Sequence, residues 1–290
     1  MRIPFLLFIG LLLLSCWSCE EEFTPPVIDA ADEIVVEGYI EAGDLPTPPY
    51  VLLTRSIPFF SKIGPDQLND VFVRDAKVTV TSGDKTVELT ELCLEDIPLE
   101  FRAQIGEFLG IPLDSLGINI CAYLDLSGEM FGEIGATYDL KVVAEDKTLT
   151  ATTTIPQTVE LSNFTFLPPP GEPNDTLAEL RCFIDDPGGV ANYYRYFTGD
   201  SQTGFVRPAF SVTDDLLFDG QFFEFPLDKA EPFGASFDPI TYGYYRLGND
   251  VTIKWMMLDE AHFNFFNTLE FGRTNQGPFS SYTRIDSNIE

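Results

Sequence analysis

Short runs of alternating apolar and polar residues recur along the chain after its N-terminal segment. Residues 77–81 and 86–89 alternate on either side of a turn at Gly83. Residues 138–144 and 149–153 do the same around a second polar turn. Period-two alternation on both sides of a short turn is typical of a β-hairpin. The pattern therefore predicts two hairpins in the first half of the chain.

Further strand-like runs continue to the C-terminal third. They are residues 34–40, 50–55, 176–184, 193–198, 206–212, 221–225 and 251–257. The alternation stops near Pro156, and a Pro-rich stretch follows at residues 168–171, which predicts a domain boundary. Strands do not alternate regularly with helices, which favours antiparallel sandwiches. We predict a mainly β fold of two antiparallel, Ig-like β-sandwich domains, residues 33–156 and 157–290.

Each predicted domain contains one segment with helical spacing. In residues 96–110, apolar residues recur on one face after Asp96, a residue type that caps helix N-termini. A second helix is expected to begin after Asp259 and to end at Gly272. We expect both helices to be short insertions in otherwise β domains.

Three cysteines lie in the body of the chain. Cys93 and Cys121 flank the first predicted helix, and cysteines of exported proteins commonly form disulfides. We predict one disulfide that closes this insertion and stabilises the fold by ~3.5 kcal/mol in the chain-entropy model. Two unrelated buried thiols are the alternative. Cys182 lies on the apolar face of a predicted strand, so we expect it to be a small buried hydrophobic residue.

The N-terminal residues combine one basic residue with a short apolar run. The run, residues 5–14, follows Arg2 and is shorter than the about 20 apolar residues that span a bilayer. Its length is typical of a signal peptide. It leads into Leu-Leu-Ser and Cys16, an order that resembles the bacterial lipobox. We predict a lipoprotein signal peptide at residues 1–15 and lipidation of Cys16, with Cys19 as the alternative; a plain secretory signal is the competing interpretation.

An acidic and Pro-containing segment, residues 16–32, separates this signal from the first strand. Such a composition predicts an extended tether. Three consecutive glutamates, residues 20–22, resemble the surface-export signal of Bacteroidetes lipoproteins. We therefore expect a lipid anchor in the outer membrane, with the folded body on the cell surface or on the periplasmic side.

The chain as a whole is strongly acidic. It has 17 Lys and Arg against 46 Asp and Glu, a formal net charge of −29. This charge repels phosphate and anionic head groups, so nucleic-acid binding and polybasic membrane attachment are excluded. The hydrophobic content of 44% is sufficient for folded cores.

The sequence offers few groups for catalysis. His262 is the only histidine and lies in the first turn of the second predicted helix, and no G-x-S-x-G segment or Gly-rich phosphate loop occurs. One histidine cannot supply a zinc site. Asp214, Asp215 and Asp219 are acidic but lack calcium-loop spacing, so we interpret them as a turn. We predict no catalytic residue, no metal and no cofactor, although a pair of carboxylates for glycan hydrolysis is a weaker alternative.

Aromatic residues make up 13% of the chain and are dense in its second half. On the strand at 193–198, Tyr194 and Tyr196 share one face, opposite Tyr193 and Phe197. Whichever pair faces outward is a candidate anchor for a partner. We take Tyr194 and Tyr196 as the candidate binding pair, with a core role as the alternative.

Six segments of the body carry a resemblance to a known family. They are residues 33–40, 52–56, 75–80, 134–140, 186–188 and 192–195. Together they resemble the Bacteroidetes lipoproteins that contain domain of unknown function 4249. These segments are strand and turn patterns, so they identify a family and no active site. The first domain is also similar to transthyretin-like and carboxypeptidase-regulatory sandwiches.

The resemblance implies a surface or periplasmic lipoprotein, often encoded beside TonB-dependent outer-membrane receptors, with no catalytic residue to carry over. Members usually continue past Asn288 into a Gly-rich strand, so we expect the second domain to lack its closing strand. Our main hypothesis is a non-catalytic accessory that captures a small molecule or glycan for such a receptor, or docks onto it. A structural or adhesive spacer of the envelope is the alternative.

Overall fold

The computed structural model describes residues 33–44, 46–57, 64, 68–102, 118–171, 174–200, 204–232, 234–274 and 284–290. The predicted signal peptide, the tether and the lipidation candidates Cys16 and Cys19 lie outside these residues, as does most of the first helical insertion. Within the described part the fold is mainly β with antiparallel pairing throughout, as predicted. Its strands form one seven-stranded sheet and two four-stranded sheets, and the prediction of two Ig-like sandwiches is not confirmed.

The first half forms one continuous antiparallel sheet. Its strands are β1 (Ile34–Tyr39), β2 (Tyr50–Arg55), β3 (Lys77–Ser82), β4 (Lys85–Cys93), β5 (Cys121–Leu124), β6 (Thr137–Ala144) and β7 (Lys147–Thr154). They lie in the order β1-β2-β5-β4-β3-β6-β7. Both predicted hairpins, β3–β4 and β6–β7, are confirmed. The sequence pattern missed β5, which pairs with β2 and with β4 and so joins the hairpins and the first two strands into one sheet.

This N-terminal sheet curls until its two edges approach each other. Lys147 Nζ lies 2.9 Å from Glu33 Oε2, and Arg55 forms an ion pair with Glu145, so the β6–β7 turn meets β1 and β2. Gly38 of β1 leaves room for its ladder partner on β2, because a Cβ there would lie 3.3 Å from Val51. The inner face of the curled sheet holds the first hydrophobic core. Buried members of that core include Leu53, Val78, Leu89, Tyr123 and Val142.

The second half contains two four-stranded sheets. One is built on β9 (Leu177–Asp185), which pairs with β8 (Leu161–Leu167), β13 (Phe222–Pro226) and β14 (Tyr245–Arg246). The other is built on β10 (Tyr193–Asp200), which pairs with β11 (Gly204–Val206), β12 (Val212–Asp214) and β15 (Thr252–Leu258). The sheets pack face to face through Ile184, Tyr194 and Trp255.

One predicted strand, residues 206–212, is wrong over most of its length. Between β11 and β12 the chain leaves the sheet, because Pro208 lacks a backbone N–H and the backbone N–H of Ser211 donates to a helix, although the Ser211 carbonyl still accepts from Tyr196 of β10. The backbone N–H of Ser211 donates to Glu270 Oε2 at 2.7 Å. This loop is therefore held by the C-terminal helix.

That helix, α1 (Glu260–Thr274), follows β15 directly. Asp259 caps it as predicted, because its Oδ1 accepts the backbone N–H of His262 at 2.8 Å. Phe263 and Phe266, one turn apart, are buried against Leu258 and Tyr193 of the second half. In the first insertion, residues 99–102 are helical after a 3₁₀ turn at Leu94–Asp96, and the rest lies outside the described residues.

The predicted disulfide between Cys93 and Cys121 is confirmed. The two residues are direct partners in the β4–β5 ladder, and their sequence separation is 28. Cys182 is a free and fully buried thiol, as expected. Burial raises its pKa to about 11, so it stays a neutral and unreactive thiol.

Candidate functional site

A cleft of about 120 Å³ lies between the two edges of the curled sheet and α1. Val36 and Ile40 of the β1 side and Ala151 of β7 line it. Its floor includes Leu140, which faces Ala151 across the β6–β7 ladder. These side chains lie on the inner face of the sheet, at alternate positions of its strands, but they remain only half buried. The gap left by the curled sheet is therefore an apolar recess and not packed core.

The helix closes this recess with one of its two faces. Phe263 and Phe266 anchor α1 on the second half, where the ring of Phe263 stacks on Tyr193 at 4.8 Å. The positions offset from them, Ala261, His262 and Phe265, line the cleft, together with Phe266. One short helix thus packs on the sheets of the second half and covers the opening of the N-terminal sheet.

Residues 287–289 form the remaining wall of the cleft. The backbone N–H of Glu290 donates to Thr150 O, and Thr150 N–H donates to Glu290 O, both at 2.8 Å. Asn288 Nδ2 donates to Thr152 O at 3.0 Å. These bonds run along the edge of β7, so this segment pairs with the N-terminal sheet.

His262 is the only imidazole in the chain, and it lines the cleft. Its Nδ1 lies 2.7 Å from Asp259 Oδ1, and Thr153 Oγ1 donates to the other carboxylate oxygen. Burial alone would raise the pKa of Asp259, but the hydrogen bonds and charge of His262 and the hydroxyl of Thr153 lower it to about 2. The ionised carboxylate requires a proton on Nδ1, so the other nitrogen, Nε2, is an acceptor in neutral His262. Among the described residues, Nε2 has no hydrogen-bond partner.

Two tyrosines stand at the rim, where their rings lie 5.3 Å apart. Tyr39 Oη donates to Glu37 Oε1 at 2.8 Å, whereas Tyr50 Oη has no partner in the described part of the chain. Burial, together with the charges of Glu41 and Glu37, raises the pKa of Tyr50 to about 12. Tyr50 is therefore protonated at physiological pH and able to donate a hydrogen bond.

The described residues that line the cleft carry little charge. Glu37 is the one acidic residue, and no Lys or Arg is present, among the described residues that line it. The described lining residues therefore do not include a carboxylate pair for glycan hydrolysis. The electrostatic environment favours neutral or cationic groups over anions.

The expectation that Tyr194 and Tyr196 form an exposed binding pair is wrong. Tyr194 has no exposed surface; its ring stacks on Trp255 at 5.0 Å, and its hydroxyl donates to Asp186. Tyr196 packs against the buried cluster that contains Leu180. Both rings face the space between the two sheets, because burial of aromatic area outweighs exposure at these positions.

The opposite pair is covered as well. Tyr193 stacks on α1, and the guanidinium of Arg195 lies 4.8 Å from the ring of Phe197 and 3.6 Å from that of Phe266. The face of β10 that is opposite to the space between the two sheets thus packs against α1. The sequence shows where the aromatic residues lie along the chain but not which residues they pack against.

Three carboxylates lie close together in the turns that follow β9 and β12. Oxygens of Asp186, Asp215 and Asp219 lie within 4.8 Å of one another, a donor set that suits a hard divalent cation. They already accept hydrogen bonds from neighbouring groups. The donors are Tyr194 Oη and the backbone N–H groups of Gly189, Asn192 and Gly220. These hydrogen bonds connect the turn after β9 to the turn after β12. Asp215 and Asp219 therefore have a structural role in a turn, as the sequence predicts.

The half-buried Asp259 predicts a pH dependence of stability. Its folded pKa is depressed, so its contribution is present above the unfolded pKa of 3.8 and is lost as the pH falls through about 2. We expect Asp259→Asn to lower the free energy of unfolding by about 2 kcal/mol at pH 5. Urea unfolding of both proteins should show this difference shrinking towards zero at pH 2.

Thr153→Val removes one hydrogen-bond donor to the same carboxylate. It should lower the free energy of unfolding by less than Asp259→Asn does, and this difference should also shrink towards pH 2. Thr154→Val, on the exposed side of β7, is the matched control and should show no such trend. A difference between wild type and Asp259→Asn that stays constant from pH 5 to pH 2 would contradict the assignment.

Comparisons with known proteins place the chain in a family without assigning a role to the cleft. Among the described residues, none of the helices has the length and apolar character needed to cross a membrane. No curated protein and no solved structure matches the chain. A family model, described as a domain of unknown function (DUF4249), matches residues 20–290, so the chain belongs to that family.

Proposed function

We propose that this protein is a lipid-anchored binding module of the cell envelope, which captures a ligand in the cleft between the N-terminal sheet and α1 and catalyses no reaction. We further propose that it acts beside a TonB-dependent outer-membrane receptor. The cleft is the observation that carries the proposal. It is concave, apolar and built from distant parts of the chain, as ligand sites commonly are.

The chemistry of the cleft supports binding over catalysis. Its walls are apolar and aromatic, and its few polar groups are oriented by neighbours, as Asp259 orients His262. Such sites use apolar area for affinity and a few polar atoms for orientation. Asp259 and His262 lack a nucleophile in hydrogen-bond contact with Nε2 among the described residues.

The envelope location is supported by independent features. The Cys93–Cys121 bond belongs in an oxidising compartment, which fits an exported chain. The signal-like residues 1–15 end directly before Cys16, the proposed lipid site. The net charge of −29 favours a basic or neutral surface on the receptor.

The anchoring part of the proposal is tested by fractionation. Replacement of Cys16 and Cys19 together by Ser should move the protein from the membrane pellet to the soluble fraction. The single Cys19→Ser variant should stay in the pellet, because Cys16 still carries the lipid. Retention of the double variant in the pellet would overturn lipid anchoring.

The binding part is tested with fluorobenzene and 4-fluorophenol, neutral rings that suit a cleft of about 120 Å³. Their fluorine NMR lines should broaden saturably with the intact lipoprotein. Ala151→Leu and Ala261→Leu, which fill the cleft from opposite walls, should abolish this broadening. Ala122→Leu, on the same sheet but outside the cleft, is the control. If neither probe binds wild type, the cleft is not a ligand site.

A further inference from the structure

We propose that the cleft selects a neutral group with a single ring and one hydroxyl, that is, a phenol or the side chain of a tyrosine. This inference rests on the binding role proposed above and names the chemistry of its ligand. It follows from the size of the cleft, its apolar walls, its charge, and two of its polar atoms, which have no hydrogen-bond partner in the part of the chain that the structure describes.

The volume of the cleft limits the ligand to one ring. An apolar cavity of ~150 Å³ holds one benzene molecule. The cleft, at about 120 Å³ and open at its rim, has room for a ring of that size but not for a long acyl chain or an oligosaccharide. Its walls therefore recognise one small group, whether free or attached to a larger molecule outside the rim.

The walls favour an aromatic ring over a sugar ring. Tyr39, Tyr50 and Phe265 present ring faces or edges, and Val36 and Leu140 present aliphatic carbon. Aromatic rings pack favourably against both kinds of surface. A sugar of the same size would bring several hydroxyls, and burial of each without a partner is unfavourable.

Two polar atoms in the cleft remain available for a single hydroxyl. In neutral His262, whose Nδ1 proton is donated to Asp259, Nε2 is a hydrogen-bond acceptor, and Tyr50 Oη is a donor; both lack partners among the residues that the structure describes. Other polar side chains of the cleft are engaged, since Tyr39 bonds to Glu37 and Thr153 bonds to Asp259. A phenolic hydroxyl donates and accepts, so it satisfies either atom.

The charge of the cleft disfavours aromatic carboxylic acids, which have the size of a phenol but are anions at neutral pH. A benzoate-like ligand would place its carboxylate beside Glu37, with no Lys or Arg among the described lining residues to compensate. The fixed charge of Asp259 adds to this repulsion. The cleft thus accepts the neutral phenol and rejects the anion of similar size.

The test compares three fluorine probes on the full-length lipoprotein, with the Ala151→Leu protein in the same detergent as the blank. We expect 4-fluorophenol to bind about tenfold more tightly than fluorobenzene, the effect of one net hydrogen bond. We expect no saturable binding of 4-fluorobenzoate. Equal affinity for 4-fluorophenol and fluorobenzene would overturn the inference while leaving the cleft as an apolar site. Binding of 4-fluorobenzoate as tight as that of 4-fluorophenol would also overturn it.

Variants assign the preference to the two polar atoms. Tyr50→Phe and His262→Phe keep ring size, and at least one of them should reduce the preference for 4-fluorophenol to below about threefold. Tyr242→Phe, an exposed tyrosine outside the cleft, is the matched control. Thermal unfolding identifies any variant that fails to fold. A preference that survives in folded Tyr50→Phe and folded His262→Phe proteins would overturn the role of these atoms.

Competition separates the two sources of the phenol. Displacement of 4-fluorophenol by the peptide Gly-Tyr-Gly assigns the cleft to a tyrosine side chain of a polypeptide. Displacement by p-cresol alone assigns it to a free phenol, because the peptide backbone then does not fit at the rim. Failure of both competitors against bound 4-fluorophenol would contradict the proposed chemistry.

Discussion

Replacement of Glu270 by Ala is expected to lower the free energy of unfolding by about 3 kcal/mol, the lower end of the usual effect of removing one partner of a buried ion pair, because its partner Arg207 is partly exposed. The Glu270 side chain is 2% exposed and lies in the penultimate turn of α1. Its carboxylate accepts from Arg207 Nη1 at 2.9 Å and from the hydroxyl and backbone N–H of Ser211 at 2.5 and 2.7 Å. The substitution would leave each of these donors without its acceptor.

The effect should reach the cleft, because Glu270 fastens the β11–β12 loop to α1. Ser211 Oγ also accepts from Arg195 Nε at 3.1 Å, and the guanidinium of Arg195 lies over the ring of Phe266. Phe266 is one of the residues that line the cleft. Loss of the carboxylate therefore loosens the attachment of α1 and, with it, one wall of the proposed ligand site.

Urea unfolding provides the measurement, and two variants control it. Glu270→Gln keeps an oxygen that accepts from Ser211, so we expect a loss of about 1 to 3 kcal/mol. Asn267→Ala, on the exposed side of the same helix, should change the stability by less than about 0.5 kcal/mol. A loss below about 1 kcal/mol for Glu270→Ala would show that water replaces the carboxylate and that the loop is not fastened in this way.

Local features of the fold were predictable from the sequence because their causes are local. The β6–β7 hairpin has alternating residues on both sides of Glu145 and Asp146, which adopt positive φ angles of 50° and 63° in the turn. The N-cap of α1 was recognised at Asp259 for the same reason. These elements depend on neighbours within a few residues.

Elements with irregular or very short patterns were missed. Strand β5 has only four residues, Cys121–Leu124, which is too short for alternation to be recognised. In β8, a register shift between Ser162 and Thr165, with Asn163 at a φ of 52°, breaks the period of two. Because β5 joins β2 to β4, the first half is one continuous sheet, which the pattern of short strands and turns alone did not indicate.

The cleft could not be predicted, since its walls come from opposite ends of the chain. Val36 and His262 are more than 200 positions apart in sequence and meet only because the sheet curls and α1 returns to it. Tyr194 and Tyr196 were predicted to form a binding pair because aromatic residues are dense in this part of the sequence. Buried and exposed aromatic residues can both produce such a dense pattern. The one local signal at the site was the spacing of Asp259 and His262, which places them in contact at a helix N-terminus.

Loss of the disulfide is the second large effect that we expect. Replacement of Cys93 and Cys121 together by Ala should lower the free energy of unfolding by ~3.5 kcal/mol, because the cross-link restricts the unfolded chain between them. Their sequence separation of 28 sets this magnitude. The bond also joins β5 to β4, so its loss weakens the strand that connects the two parts of the N-terminal sheet. We expect a larger urea m-value as well, since the unfolded chain exposes more surface.

A reductant provides the matched control for this prediction. Wild-type protein with reductant should unfold like the double Ala variant, and the variant itself should not respond to reductant. Cys182 stays a thiol in both proteins, so its burial does not contribute to the difference. Thiol labelling of the denatured, unreduced protein recovered from cells should modify Cys182 and spare Cys93 and Cys121, because an exported chain meets an oxidising compartment. Labelling of Cys93 in that sample would contradict both the bond in the cell and the exported location that it supports.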